Sequence, residues 1–156
     1  TLVQKSVNLE DLFPYFALMN QDYFRRQGVE LVVHPADVSF NADPDKIVRV
    51  LQNLTNNAAQ AMPNGGQIEI RGEEHGDWIQ ITVADNGPGI PEDIQAHLFD
   101  PFVSANRNGG TGLGTTIAKS LVQSHGGKID FATTPNGTTF TIDIPKRLDA
   151  ALTRGM

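Results

Sequence analysis

The 156-residue chain has no cysteine, which excludes a disulfide scaffold, a cysteine-based zinc site and a thiol nucleophile. That absence fits a reducing compartment, and the cytoplasm is the expected location. Basic residues are also scarce: twelve Lys and Arg stand against eighteen Asp and Glu, for a net charge of −6, and no basic run is present. A nucleic-acid backbone is therefore not an expected partner, and any anionic ligand must be held by local geometry. No apolar stretch approaches the length of a membrane span, and the first residues lack a signal-peptide pattern, so this segment is expected to make no direct membrane contact. Neither an internal repeat nor a low-complexity segment is found. The length suits one domain with a single core. The chain begins at Thr1 rather than at methionine, which reads as a fragment of a longer protein or as a processed start.

Leu9, Leu12, Phe13, Phe16 and Phe24 recur at helical spacing, with Asn8 placed to cap the start and Gly28 to end the helix. Glu30 to Val33 and Val38 to Asn41 read as two short strands joined by a turn at His34-Pro35. A second helix is expected from about Pro44 to Met62. Its apolar stripe is Ile47, Val50, Leu51, Leu54, Ala58 and Ala61, and beside it runs a polar stripe of Asn53, Asn57 and Gln60. A hairpin of Gln67 to Arg71 and Trp78 to Ala84 follows, then a short helix from about Glu92 to Leu98 and a polar, glycine-rich stretch from Val103 to Gly110 that reads as a mobile lid. Gly112 to His125 is expected to be a third helix with Ile117, Ala118, Leu121 and Val122 on its apolar face. Gly126-Gly127 ends it, and strands from Lys128 to Thr133 and from Thr138 to Ile144 close the domain around Pro135-Asn136-Gly137. This order does not alternate as βαβ units would, so a mixed sheet with helices on one face is expected.

Three features carry chemistry. Asp85 ends the apolar strand and is followed by Asn86-Gly87-Pro88-Gly89-Ile90-Pro91. Its carboxylate is suited to accept from an exocyclic amine, and glycines beside it let backbone approach a flat ring, although an Asx turn closing a strand has the same sequence. Gly110-Thr111-Gly112-Leu113-Gly114 opens the third helix, where free N–H groups suit a phosphate, although a flexible connector would look alike. The run is not a P-loop, since Thr115 stands where lysine is required, and it does not follow the first strand of a βαβ unit as a Rossmann fingerprint does. Asn53 and Asn57 lie one turn apart on one helix face, where a carboxamide oxygen can complete the shell of a phosphate-bound magnesium ion. Two solvated asparagines are the plain alternative. Asparagine is a mediocre helix former, and three of them, Asn53, Asn56 and Asn57, in one segment favour a functional reason.

Taken together, Asn53-Leu54-Thr55-Asn56-Asn57-Ala58, Asp85 to Ile90, Phe99-Asp100-Pro101-Phe102, Gly110 to Gly114 and His125-Gly126-Gly127 resemble, in order and spacing, the ATP-binding catalytic domain of sensor histidine kinases, of the GHKL or Bergerat superfamily. The short lid and Asn-Ala-Ala-Gln-Ala-Met look most like the nitrogen-regulation type. The resemblance covers roughly Val7 to Pro145. It implies an α+β fold: a two-layer α/β sandwich with a mixed, mostly antiparallel sheet, three main helices on one face and a flexible ATP lid. Residues 1–6 would be a linker from a dimerisation and phosphoacceptor domain, residues 7–147 the ATP-binding domain and residues 148–156 a tail.

The resemblance also implies roles. Asp85 would bind the adenine amino group, with Gly87, Gly89 and Ile90 shaping the base pocket and Thr139 helping through water. Asn57 would hold Mg²⁺. Asn53 would lie near the phosphates as the candidate catalytic residue. Phe99 and Phe102 would anchor the lid, and Gly110, Thr111, Gly112, Leu113 and Gly114, with Arg107, would contact the triphosphate. In hydrolytic relatives the position of Asn53 is a glutamate that activates water. Asparagine cannot be a general base, so the domain is expected to hold ATP for transfer rather than hydrolysis.

Two departures stand out: Ser104-Ala105-Asn106 replaces a lid lysine, with Arg107 nearest, and Thr115 stands where the family has an apolar residue. None of the four histidines is followed by Glu or Asp as a phosphoacceptor would be. The expected partners are accordingly a dimerisation domain of the same protein, which supplies that histidine, and a response regulator. The fragment itself is expected to be monomeric within a homodimeric parent. Two other functions share these motifs: a nucleotide-sensing or regulator-docking module without transfer, and an anti-sigma-type serine kinase.

Overall fold

The computed structural model describes residues 2–100 and 114–147. The elements run β1 (Lys5–Asn8), α1 (Leu9–Arg25), β2 (Val29–His34), β3 (Ser39–Ala42), α2 (Pro44–Gln60), β4 (Gly66–His75), β5 (Trp78–Asp85), α3 (Glu92–Gln95), α4 (Gly114–Ser124), β6 (Lys128–Thr134) and β7 (Gly137–Pro145). Asn8 caps α1, its side chain accepting from the N–H of Glu10 at 2.8 Å. Asp43 caps α2, with Pro44 in the first turn, where its missing N–H costs nothing.

Five strands form one sheet in the order β2-β4-β5-β7-β6. β2 lies parallel to β4 and every other pairing is antiparallel. Burial alternates along β5 and β7: Ile79, Ile81 and Val83 and then Phe140, Ile142 and Ile144 are buried, while the residues between them stay half-exposed. One sheet face is therefore the core face, and it is covered by α1, α2 and α4, which bury Phe13, Phe16, Leu51, Leu54, Ala118 and Val122.

The structure corrects one pairing. β2 and β3 exist where expected, but no turn joins them to each other as a hairpin. β2 enters the main sheet beside β4, and β3 pairs antiparallel with β1 in a separate two-stranded sheet, Val7 opposite Phe40. No strand is expected at β1, whose first two residues, Lys5 and Ser6, fall in the expected linker. Four residues with one buried side chain, Val7, carry too little alternation to announce a strand. The short helix expected from Glu92 to Leu98 is also shorter, a single turn at Glu92–Gln95 followed by turns to Phe99.

Candidate functional site

Asp85 is the next step of the buried β5 stripe Ile79, Ile81, Val83, and period-two alternation therefore turns its carboxylate toward the helices rather than toward solvent. Burial pushes its carboxyl above the usual carboxylate range, and the backbone N–H groups of Gly87 and Thr138 partly offset that push. Gly87 donates to Asp85 Oδ1 at 2.9 Å, so the Asx turn is present. An ionised carboxylate has about four acceptor positions. Two backbone donors leave capacity for a ligand amine.

The backbone after Asp85 is pinned from three sides. Asn86 takes the N–H of Gln67 on its Oδ1 at 2.8 Å. Ile90 donates to Thr133 Oγ1 at 2.9 Å, and that hydroxyl lies 2.9 Å from Thr138 Oγ1. Gln95 Nε2 donates to the Ile90 carbonyl at 2.9 Å. Gly89 has φ +85°, and a Cβ there would collide with the Thr134 carbonyl. At Gly87 a Cβ would lie 2.9 Å from Met62 Cγ and 3.1 Å from Asp85 Oδ1. Gly89 is thus required by its positive φ and by close backbone approach, whereas a side chain at Gly87 would have to displace that of Met62.

Register corrects one assignment. Thr139 pairs with Ala84, one step off Asp85, so its side chain lies on the opposite sheet face. Thr138 pairs with Asp85, is buried and shares its face. The signal was available in parity, because Thr138 is in phase with Phe140, Ile142 and Ile144. Gly137 was also missed: at φ +152° it lies so close to the Asp85 carbonyl that a Cβ would collide with it.

On α2, Asn53 and Asn57 are half-buried beside the buried stripe, whereas Asn56 and Gln60 are exposed. The Asn53 carboxamide nitrogen is buried and has no hydrogen-bond partner among the described residues. Such a donor costs about 1–3 kcal/mol unless a ligand or water accepts from it. Gly114, the first residue of α4, lies against Asn53, where a Cβ would be 3.7 Å from the Asn53 carbonyl. The end of the glycine run and the asparagine stripe are therefore neighbours. The other lid assignments, Phe102, Arg107, Gly110, Thr111, Gly112 and Leu113, lie outside the described residues.

Thr115 departs from the apolar pattern because it hydrogen-bonds as it packs: its buried hydroxyl donates to the Leu98 carbonyl at 2.8 Å, and Thr116 donates to the Phe99 carbonyl at 2.9 Å. Phe99 is held further by Phe131 and Phe140, with ring centroids 6.0 and 6.4 Å away, and by Lys119, whose Nζ lies 5.1 Å from its ring centroid. At the other end of α4, buried His125 accepts the Asp43 N–H on Nε2 at 3.1 Å, while its Nδ1 lies 2.8 Å from the Leu121 carbonyl. Those partners require the neutral ring with the proton on Nδ1. His125 thereby ties α4 to the N-cap of α2.

A cleft of about 740 Å³ opens between the end of α2, at Gln60 and Met62, and the loop carrying Gly87, Gly89 and Ile90. Asp85, Asn53 and Asn57 do not line it. It adjoins the base-pocket loop but does not include the asparagine stripe. Among the described residues no cluster of three His, Asp or Glu side chains could hold a metal ion unaided. No helix among them is long and apolar enough to cross a membrane.

A two-layer sandwich with a buried carboxylate at a strand end, a glycine-shaped loop and a carboxamide stripe opposite a helix start defines an adenine-nucleotide-binding domain of the Bergerat class. Residues 42–148 match the family described as histidine kinase-, DNA gyrase B- and HSP90-like ATPase, and the chain belongs to that family. It is 46% identical over 116 residues to the sensory histidine kinase/phosphatase NtrB of Escherichia coli O157:H7, covering 67% of this chain and 33% of that protein. It is 37% identical to the C4-dicarboxylate transport sensor protein DctB of Rhizobium meliloti (strain 1021), covering 78% of this chain and 20% of that one. The nucleotide-free catalytic domain of histidine kinase ThkA superposes with a TM-score of 0.84 at 30% identity, over 95% of this chain and 99% of that one. Full-length ShkA in complex with AMPPNP gives 0.81 at 25% identity, over 93% and 31%. The chain spans about a third of the length of the NtrB relatives. Within its family it is an ATP-binding catalytic domain of the two-component sensor kinase type.

Proposed function

We propose that this domain binds Mg-ATP between Asp85, on the adenine, and Asn57, on the magnesium ion, and donates the γ-phosphate to a histidine outside this sequence. Gly87, Gly89 and Ile90 shape the base pocket, with Thr138 rather than Thr139 beside Asp85. The end of the glycine run, at Gly114, meets the triphosphate next to Asn53. Magnesium supplies charge neutralisation for the transferring phosphoryl group, and the chain's own contribution is positioning.

The observation that carries this reading is the buried, unpartnered carboxamide nitrogen of Asn53 beside Gly114. It offers a hydrogen-bond donor where phosphate is expected and has no titratable group with which to activate water. The histidines support an acceptor elsewhere. None of the four is followed directly by Glu or Asp, and both ring nitrogens of His125 are engaged. The partners are then a dimerisation domain of a homodimeric parent and a response regulator. A structure of ThkA in complex with the response regulator protein TrrA, similar over 94% of this chain with a TM-score of 0.79, supports the second. On this reading the domain acts where ATP is supplied, in the cytoplasm.

The test is incubation with a purified histidine-bearing dimerisation domain and γ-labelled ATP, followed by acid. Acid-labile label on the helix domain is expected. Acid-stable label would make this a serine kinase, and bound nucleotide with no transfer would make it a sensing or docking module.

A further inference from the structure

α4 is anchored at both ends. At its far end His125 accepts the Asp43 N–H. At its start, Thr115 and Thr116 each reach a carbonyl 17 residues back in the sequence, Leu98 at 2.8 Å and Phe99 at 2.9 Å. Among the described residues no backbone N–H bonds either carbonyl, and the turns after α3 close with the Asp100 N–H on the His97 carbonyl. The two hydroxyls are therefore what satisfies this stretch of backbone. That stretch is itself fixed, because Leu98 is buried and Phe99 packs on Phe131, Phe140 and Lys119. Thr115 lies three and seven residues before Ala118 and Val122, on the buried face of α4. An apolar side chain there would serve burial as well, but packing has no direction, and a helix held by packing alone can turn about its axis. Hydrogen bonds from adjacent residues to adjacent carbonyls prevent that turn, because each weakens steeply off its angle.

We propose that Thr115, with Thr116, is a positioning residue for the phosphates: by bonding the Leu98 and Phe99 carbonyls the pair sets the rotation of α4 and so aims the N–H groups of its first turn at the polyphosphate beside Asn53. The proposal rests on the nucleotide reading above. The first N–H groups of a helix have no partner within it, so their direction is useful only if the helix is held in one rotation. Gly114, one residue before Thr115, lies against Asn53, whose carboxamide nitrogen is buried without a partner. A turn of α4 therefore moves one wall of the phosphate site relative to the other. Thr115 acts through the helix and not on the ligand, because its own hydroxyl is buried and engaged. The base pocket is held separately, by Thr133 and Gln95 on the two sides of Ile90. The influence of Thr115 should accordingly grow with the number of phosphates and leave the base alone.

The test is calorimetric titration of the chain with AMP, ADP and a non-hydrolysable ATP analogue in magnesium, with circular dichroism to confirm folding. Thr115→Val keeps the shape and removes the hydroxyl, whereas Thr115→Ser keeps the hydroxyl. Thr115→Val should weaken the ATP analogue by about tenfold and AMP by less than about twofold, with ADP between them. Thr115→Ser should stay within about twofold of the wild type for all three. If Thr115→Val does not fold, Thr116→Val, at a half-buried position, is expected to show the same gradient. Equal weakening of the three nucleotides makes Thr115 a packing residue and overturns the proposal, as does a folded valine variant with unchanged affinities or a serine variant that behaves like valine. In those cases the wild type still binds nucleotide and the site reading stands. A folded wild type that binds none of the three overturns that reading and this proposal with it.

Discussion

α1 and α2 are both 17-residue helices, both capped by an acceptor side chain and both packed on the same sheet face, yet their second stripes differ in kind. Beside its buried face α1 carries Tyr15, Leu18, Met19 and Tyr23 in the open, while α2 carries half-buried carboxamides, one with a buried nitrogen that finds no partner. The core stripes are what a sandwich needs from any helix. The residues that folding does not need are where the two helices part: largely exposed apolar side chains on α1, and hydrogen-bonding groups held ready for a ligand on α2.

Breaking the shared part should have the largest effect. Phe16→Ala and Leu54→Ala each remove a fully buried side chain, and denaturant melts should show losses of about 3–5 and 2–5 kcal/mol. Next comes Asp85→Asn, which replaces an ionised acceptor with a neutral amide: adenine-nucleotide affinity should fall by roughly ten- to a hundredfold while the melt is unchanged or improved, because a buried charge has been removed. Unchanged affinity would take Asp85 out of the site. On α2, Asn57→Ala should flatten the magnesium dependence of nucleotide binding by several-fold, and persistence of that dependence would place the ion elsewhere. The smallest effect belongs to α1, where Leu18→Ser should shift stability by no more than about 0.5 kcal/mol and leave nucleotide affinity alone.

Acid should separate site from scaffold. Asp85 has a raised pKa, so its buried charge opposes folding above that value, and protonation as pH falls through it favours the fold while removing an ionised acceptor from the base. Asp43 is the reverse. The Val3 N–H, donating to Oδ2 at 3.0 Å, holds its carboxyl below the usual range. Its stabilising contribution is full above the ordinary carboxylate pKa of about 3.9 and is lost as pH falls through the lowered value. Nucleotide affinity should therefore decline at a pH where circular dichroism still shows a folded domain, and Asp85→Asn should lack that decline.

Much of this was legible because the decisive signals are local. Asn8 and Gly28 bracket α1, the α2 stripes follow from a 3.6-residue period, and the apolar run into Asp85 fixes the carboxylate at a strand end. What stayed hidden depends on pairing between distant segments. β2 gives no sign that its neighbour is β4, some forty residues on, rather than β3, because a parallel partner leaves no turn signature. Thr138 and Thr139 are adjacent and chemically identical, and only the register with β5 says which one faces Asp85. Thr115 looked like a flaw in an apolar position until the Leu98 carbonyl it bonds was beside it.

Calorimetric titration of the folded domain with ADP and with a non-hydrolysable ATP analogue, each with and without magnesium and repeated on Asp85→Asn, tests the central claim most directly. Magnesium-dependent binding of both nucleotides, lost or strongly weakened in the variant, is the result expected of a site built on Asp85 and Asn57. A domain that is demonstrably folded and binds neither nucleotide would contradict it.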